Sequence, residues 1–241
     1  MASSLPEGMS RPPPDFEISS GQIHVWTLNT AGEKRAWDRL LSSEEAATAG
    51  RLSGPLQLRF KNRRGALRLL LGRYLRLNPA SIEFSVGPNG KLFLAGGQLG
   101  FNLAHSKNMV VIAVGRDCEV GVDVENLEAP ANSAELAARF FSAEEVEALS
   151  SMTPAMYGRT FLTMWVRKEA ALKADGTGIG GGLLLPVPHL SPTHGAEVTL
   201  RTGENKHRSF YLYDINAGSC FVAALAVSCK PDRIVERVIG D

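Results

Sequence analysis

The chain has 241 residues, with 26 Lys+Arg against 25 Asp+Glu, and is 44% hydrophobic and 21% charged. That length allows one large domain or two small ones, and the apolar share suffices for a buried core, which excludes disorder throughout. A net charge of +1 lacks the basic excess of a generic nucleic-acid binder. The balance conceals a split: residues 51–76 hold eight bases (Arg51, Arg59, Lys61, Arg63, Arg64, Arg68, Arg73, Arg76) and no acid, whereas residues 119–147 hold eight acids and one base, Arg139.

In chain order, residues 1–21 lack the apolar core of a signal peptide and read as a flexible N-terminal tail. QIHVWTL (22–28) alternates as a strand. Ser42-Ser-Glu-Glu45 supplies an N-cap and first-turn acids for a helix. The segment 56–77 carries Phe60, Leu67, Leu70, Leu71, Tyr74 and Leu75 at helical spacing, and Asn78-Pro79 is expected to stop it. Short strands are predicted at 82–86, 91–94, 100–103, 110–114 and 120–124, with Gly87-Pro-Asn-Gly90 as a hairpin turn.

Beyond these, Ser142-Ala-Glu-Glu145 is a capping box and 154–174 a long helix closed near Gly176. The glycine-rich run 176–182 lacks the Gly-Lys-Ser/Thr of a phosphate-binding loop and reads as a helix stop with a mobile connector. Strands at 197–201, 208–215 and 219–228 complete an α+β chain. Element order alone suggests two similar halves, 22–117 and 118–241.

Cys118, Cys220 and Cys229 form no C-x-x-C pair and no metal-ligand spacing, so they read as reduced thiols of a cytoplasmic protein. The longest apolar stretch, about 221–227, falls far short of the ~20 residues of a membrane span.

Three clusters carry chemistry. In Val120-Gly-Val-Asp-Val-Glu-Asn126, period 2 puts Asp123 and Glu125 on one face of a strand. Adjacent carboxylates repel unless a cation or shared proton intervenes, and Mg²⁺ suits such oxygen ligands; a solvated edge strand explains the spacing equally. Phe161, Trp165, Glu169 and Lys173 form one row of a helix. Glu169 and Lys173 then stand either as a surface ion pair or as a third carboxylate or general base beside a phosphate-binding lysine. Asn102-Leu-Ala-His-Ser106 gathers polar side chains between apolar runs, with His105 either structural or functional.

Together, Gly90-Lys91, Asn102-Leu-Ala-His-Ser106, Gly121-Val-Asp-Val-Glu125, Arg139-Phe-Phe-Ser142 and Trp165-Val-Arg-Lys-Glu-Ala-Ala-Leu-Lys173 resemble the ordered motifs of the Sfp-type 4′-phosphopantetheinyl transferases, over roughly residues 22–228. The resemblance implies an α+β pseudo-dimer of two similar halves with the active site in the cleft between them. It implies transfer of the phosphopantetheine arm of coenzyme A to a serine of an apo acyl or peptidyl carrier protein. By residue, it implies Mg²⁺ or Mn²⁺ on Asp123, Glu125 and Glu169, with Glu169 as base or as holder of a water. Lys173 would offset phosphoryl charge, and Lys168 would line the same cleft. Arg51, Arg59, Lys91 and His105 would contact the coenzyme. The chain departs from the family at Ala104, where many members have serine, at Leu92 in place of proline, and at Glu45 and Thr48, where some carry lysine. A monomer without nucleic-acid or membrane partners is expected. The rival readings are a non-catalytic homologue that binds coenzyme A or carriers, and a nucleic-acid module using the Arg-rich helix with Phe60 and Tyr74 for stacking.

Overall fold

The computed structural model describes residues 16–31, 36–97, 99–178, 186–187, 194–201 and 207–239. The described residues group into two compact units, the first drawn from Met1–Ser19 and Gly32–Glu83 and the second from Ser20–Ala31 and Phe84–Asp241.

The first unit is helical. Helix α1 (Ser43–Gly50) begins on a complete capping box: the Ser42 hydroxyl accepts from the Glu45 amide, and Glu45 accepts from the Ser42 amide. Helix α2 (Gly54–Leu75) has a proline in its first turn and ends with Arg76 in the left-handed region at φ 56°. The stop therefore comes before Asn78-Pro79, where the Asn78 side chain caps a separate short 3₁₀ turn, 79–81. Trp37 lies on α2 at Gly65, where any Cβ would overlap the indole. Arg68, one of the eight bases of 51–76, is buried: its guanidinium pairs with Glu45 and donates to the Pro79 and Ile82 carbonyls at 2.6 and 3.0 Å. Phe16 is buried edge-on against Tyr74, their centroids 5.3 Å apart, and Ile18 is also buried. The tail expected to run to residue 21 is thus ordered from Phe16 onward, because these apolar groups have a helix face to cover; residues 1–15 lie outside the described residues.

The second unit holds both large sheets. Strands β1 (Gln22–Asn29), β2 (Phe84–Val86), β3 (Leu92–Leu94), β4 (Leu99–Ser106), β5 (Met109–Arg116) and β6 (Val120–Asn126) precede helices α3 (Ser133–Phe140), α4 (Ala143–Ser150) and α5 (Pro154–Asp175). Strands β7 (His194–Arg201), β8 (His207–Ile215), β9 (Phe221–Val227) and β10 (Arg233–Val238) follow. One sheet has the order β10-β1-β5-β4, the other β6-β9-β8-β7, and β2-β3 form a two-stranded hairpin closed at 87–90. Helix α3 and strand β10 were not anticipated; β10 pairs parallel with β1 at the sheet edge.

The alternation in β6 explains the layering. Val120, Val122 and Val124 enter a core shared with Ile23, Val25, Val111 and Ala113 of the other sheet. The opposite side meets α5: a Cβ on Gly121 would overlap the backbone at Ala170 and Ala174, so only glycine allows this approach. Helix α5 covers its sheet through Phe161, Met164, Ala170, Ala171, Leu172 and Ala174.

The anticipated boundary at 117/118 falls between β5 and β6, inside this second unit. A shared core and the pairing of β10 with β1 link strands on either side of that boundary. Element order nevertheless repeats. A strand (β1, β6) leads to a capping-box helix, a 22-residue helix, and later strands, one of which pairs with the first (β5 with β1, β9 with β6).

The expectation of three reduced thiols is corrected, because Cys118 and Cys229 form a disulfide with Cα atoms 5.7 Å apart. The β6–β9 register pairs Val120 with Val227, and extending it two steps sets these cysteines opposite one another although they are 111 residues apart in sequence. Cys220 is free and exposed. Among the described residues, no helix is long and apolar enough to cross a membrane. The glycine-rich connector expected at 176–182 lies outside the described residues from 179 onward.

Candidate active site

Asp123 on β6 and Glu169 and Lys173 on α5 meet where that helix lies on the strand. Glu169 and Lys173 are one turn apart and extend the row begun by Phe161 and Trp165, whose rings are 5.9 Å apart. The buried Asp123 carboxylate accepts from Lys173 Nζ through Oδ1 at 2.6 Å, while its Oδ2 is buried without a partner among the described residues. Glu169 is 7% exposed, and its Oε1 is likewise buried and unpartnered. Glu125 is half-buried at the end of β6, and the Ser106 hydroxyl donates to its Oε2 at 2.8 Å.

All three carboxyls bind protons more tightly than free side chains do. Burial, then the Asp123 charge, lifts Glu169 to about 7; Lys173 works against this and Glu125 with it. Burial also raises Asp123, opposed by Lys173 and the Val124 amide. Glu125 is raised chiefly by burial, while the Ser106 hydrogen bond pulls it down. The site is therefore an acid cluster with one counter-cation and two buried oxygens lacking a partner.

A hard divalent cation fits this donor set, since it accepts carboxylate oxygens and would satisfy both. Among the described residues, no three His, Cys, Asp or Glu side chains stand close enough to form a finished ligand cage. The fit therefore rests on the chemistry of the carboxylates and their unpartnered oxygens.

The structure does not gather every anticipated residue here. Lys168 is wholly buried on another side of α5: its Nζ is 2.8 Å from Glu145 Oε2 and 5.0 Å from the Phe141 ring centre. The resemblance assigns Lys168 to the lining of the cleft; in the structure its ammonium pairs with the capping-box acid Glu145. Lys91 Nζ donates to the carbonyls of Ala174 at 2.6 Å and Val120 at 3.3 Å, and the side chain lines a cavity of about 310 Å³ with Phe93, Phe101 and Glu119. Burial and Arg208 lower its pKa to about 8, against the pull of Asp175. His105 is exposed on β4, and strand alternation turns it away from the face carrying Ser106. Arg51 and Arg59 are exposed in the first unit, where Arg51 donates to the Thr48 hydroxyl at 3.0 Å.

The sequence reading missed the contributions of Gly121, Asn102 and Ser106, although all three stand inside motifs it singled out. Asn102 Oδ1 accepts from the Val122 amide at 3.0 Å, next to Asp123. The unexpected polarity of Asn102 and Ser106 within an otherwise apolar strand was the available signal.

Comparison with known proteins gives the same direction. The sequence profile of the 4′-phosphopantetheinyl transferase superfamily matches residues 119–227, which include Asp123, Glu125, Glu169 and Lys173. The chain is 36% identical over 175 residues to the 4′-phosphopantetheinyl transferase HetI of Nostoc, covering 69% of this chain and 74% of HetI. It is 39% identical over 156 residues to a putative 4′-phosphopantetheinyl transferase of Synechocystis, covering 63% of each. A 4′-phosphopantetheinyl transferase of Bacillus subtilis shares 31% identity over 131 residues, 50% of this chain and 57% of that protein. With the profile falling on the acid cluster and its helix, and HetI matched over 74% of its length, the chain belongs to the 4′-phosphopantetheinyl transferase superfamily, as an enzyme of the transferase class.

Proposed function

We propose that this protein transfers the 4′-phosphopantetheine arm of coenzyme A to a serine hydroxyl of an apo acyl or peptidyl carrier protein. The serine oxygen bonds to the phosphorus bearing the arm. The bond to the departing phosphate breaks, and adenosine 3′,5′-bisphosphate leaves. The observation carrying this reading is the pair of buried, unpartnered oxygens on Asp123 and Glu169 beside Lys173, inside the stretch matching the superfamily.

Asp123, Glu125 and Glu169 would hold Mg²⁺ or Mn²⁺. When bound, the cation neutralises pyrophosphate charge, the main electrostatic demand of phosphoryl transfer. Glu169 is assigned the role of general base, taking the serine proton directly or through a water that it orients. Lys173 remains partly open, at 32% side-chain exposure, and its ammonium balances the charge of the transferred phosphoryl group while orienting Asp123. Arg51, Arg59, Lys91 and His105 are assigned to the coenzyme on family resemblance. In this reading the repeated element order is that of a pseudo-dimer of two similar halves.

The nucleic-acid alternative loses its stacking groups, because Phe60 is buried and Tyr74 packs on Phe16. The direct test is incubation with coenzyme A, Mg²⁺ and a panel of apo carriers, read by intact mass. The carrier gains the mass of the arm; no gain across fatty-acid, polyketide and peptide-synthesis carriers overturns the proposal.

A further inference from the structure

Among the described residues, strand β6 lies at the edge of its sheet and pairs only with β9. Edge amides need partners from elsewhere. Two are supplied by β4: the Val122 amide donates to Asn102 Oδ1 at 3.0 Å and the Asn126 amide to Ser106 Oγ at 3.1 Å. Both residue pairs are four apart, and at ~3.3 Å per residue they fasten about 13 Å of β6, the stretch that contains Asp123 and Glu125. Ser106 makes a further contact. While its oxygen accepts from Asn126, its hydroxyl donates to Glu125 Oε2 at 2.8 Å.

Glu125 needs such a tether. It is half-buried at the strand end, and no salt bridge to it is recorded among the described residues. Asp123 is fixed by burial and Lys173, and Glu169 by its helix. The Ser106 hydroxyl is the group that selects a rotamer for Glu125, and it does so while anchored to the neighbouring backbone.

We propose that Ser106 is a positioning residue that pre-sets the Glu125 carboxylate as a cation ligand. This rests on the reading of Asp123, Glu125 and Glu169 as the cation-holding carboxylates. One hydroxyl thus couples the edge of β6 to the third ligand, as outer hydrogen bonds orient ligating groups in metal sites generally.

The experiment measures Mn²⁺ binding to the full chain without coenzyme or carrier, from the free-ion signal in electron paramagnetic resonance. Wild type, Ser106→Ala, Ser106→Thr and Glu125→Gln are compared, with thermal unfolding alongside. Ser106→Ala is expected to weaken Mn²⁺ binding about tenfold, while Ser106→Thr, which keeps the hydroxyl, stays within about twofold of wild type. In turnover, Ser106→Ala raises the Mg²⁺ concentration for half-maximal rate and leaves the coenzyme KM unchanged. If wild type binds Mn²⁺, Glu125→Gln loses it and Ser106→Ala matches wild type, the positioning role is overturned and the carboxylate reading stands. If wild type binds no Mn²⁺, the carboxylate reading falls and takes the positioning role with it.

Discussion

Lys173 Nζ stands 2.6 Å from Asp123 Oδ1, whereas Asp123 Oδ2 is buried with no partner. One lysine thus satisfies half of a buried carboxylate and leaves the other half for a ligand. Removing it with Lys173→Met strands a buried charge. Discounted for the partial exposure of Lys173, the metal-free protein is expected to lose roughly 1–3 kcal/mol of stability. Mg²⁺ restores part of it, because a cation bound to the native state stabilises that state. Urea unfolding with chelator and with Mg²⁺ measures both effects; an unchanged midpoint in chelator contradicts the pairing.

Glu169 predicts a pH dependence. Its carboxyl rises from 4.5 to about 7 on folding, so the native state holds the proton more tightly than the unfolded chain. The stabilisation is complete below about pH 4.5 and is lost as pH rises through about 7. Metal-free wild type should therefore weaken across this window by on the order of 1–3 kcal/mol relative to Glu169→Gln, which has no such proton. Denaturant midpoints at pH 5, 6, 7 and 8 in chelator provide the comparison. Parallel curves for the two proteins would show that Glu169 does not titrate there.

Gly121 has a packing task. Its missing side chain lets the backbone of α5 lie against β6 and brings Glu169 and Lys173 to Asp123. Gly121→Ala must push the helix away, at a cost of about 2–3 kcal/mol or more, since close-packed backbone cannot yield as a flexible side chain can. The expected outcome is a lower urea midpoint together with weaker cation binding. A variant of wild-type stability would place the contact elsewhere.

Lys168 separates the structure from the family carry-over. Its ammonium, wholly buried with Glu145, makes Lys168→Met destabilising by about 3–5 kcal/mol, and the double variant with Glu145→Gln should recover part of that loss. Among variants still folded at low temperature, the coenzyme KM should match wild type. A raised KM with unchanged stability would return Lys168 to the coenzyme site.

These contrasts show what the sequence made legible. The N-cap at Ser42 and the capping box at Ser142 were readable because Ser42 with Glu45, and Ser142 with Glu145, act over three residues. The end of α5 was marked by Gly176 and the carboxylate face of β6 by strict alternation. Helix α3 was hidden because it spans eight residues and its Asn132 cap makes no side-chain bond. Strand β10 was hidden because it is an exposed edge interrupted by Glu236 and Arg237. Long-range partners leave no local mark: Glu45 with Arg68, Glu145 with Lys168 and Cys118 with Cys229 are joined only by the fold. The first two pairs show why the repeat escaped detection. Each links a capping-box acid to a base 23 residues later inside a 22-residue helix, yet the base is Arg in one copy and Lys in the other. The role repeats where the residue does not.

Whether the Asp123, Glu125 and Glu169 cluster performs the transfer is decided by comparing wild type with Asp123→Ala by intact carrier mass, with coenzyme A and Mg²⁺ present. Wild type is expected to add the arm to an apo carrier and to stop when Mg²⁺ is chelated. Asp123→Ala should add none or lose at least about 10³-fold in rate while unfolding cooperatively. A carrier modified equally by both proteins, or by wild type in excess chelator, would contradict it.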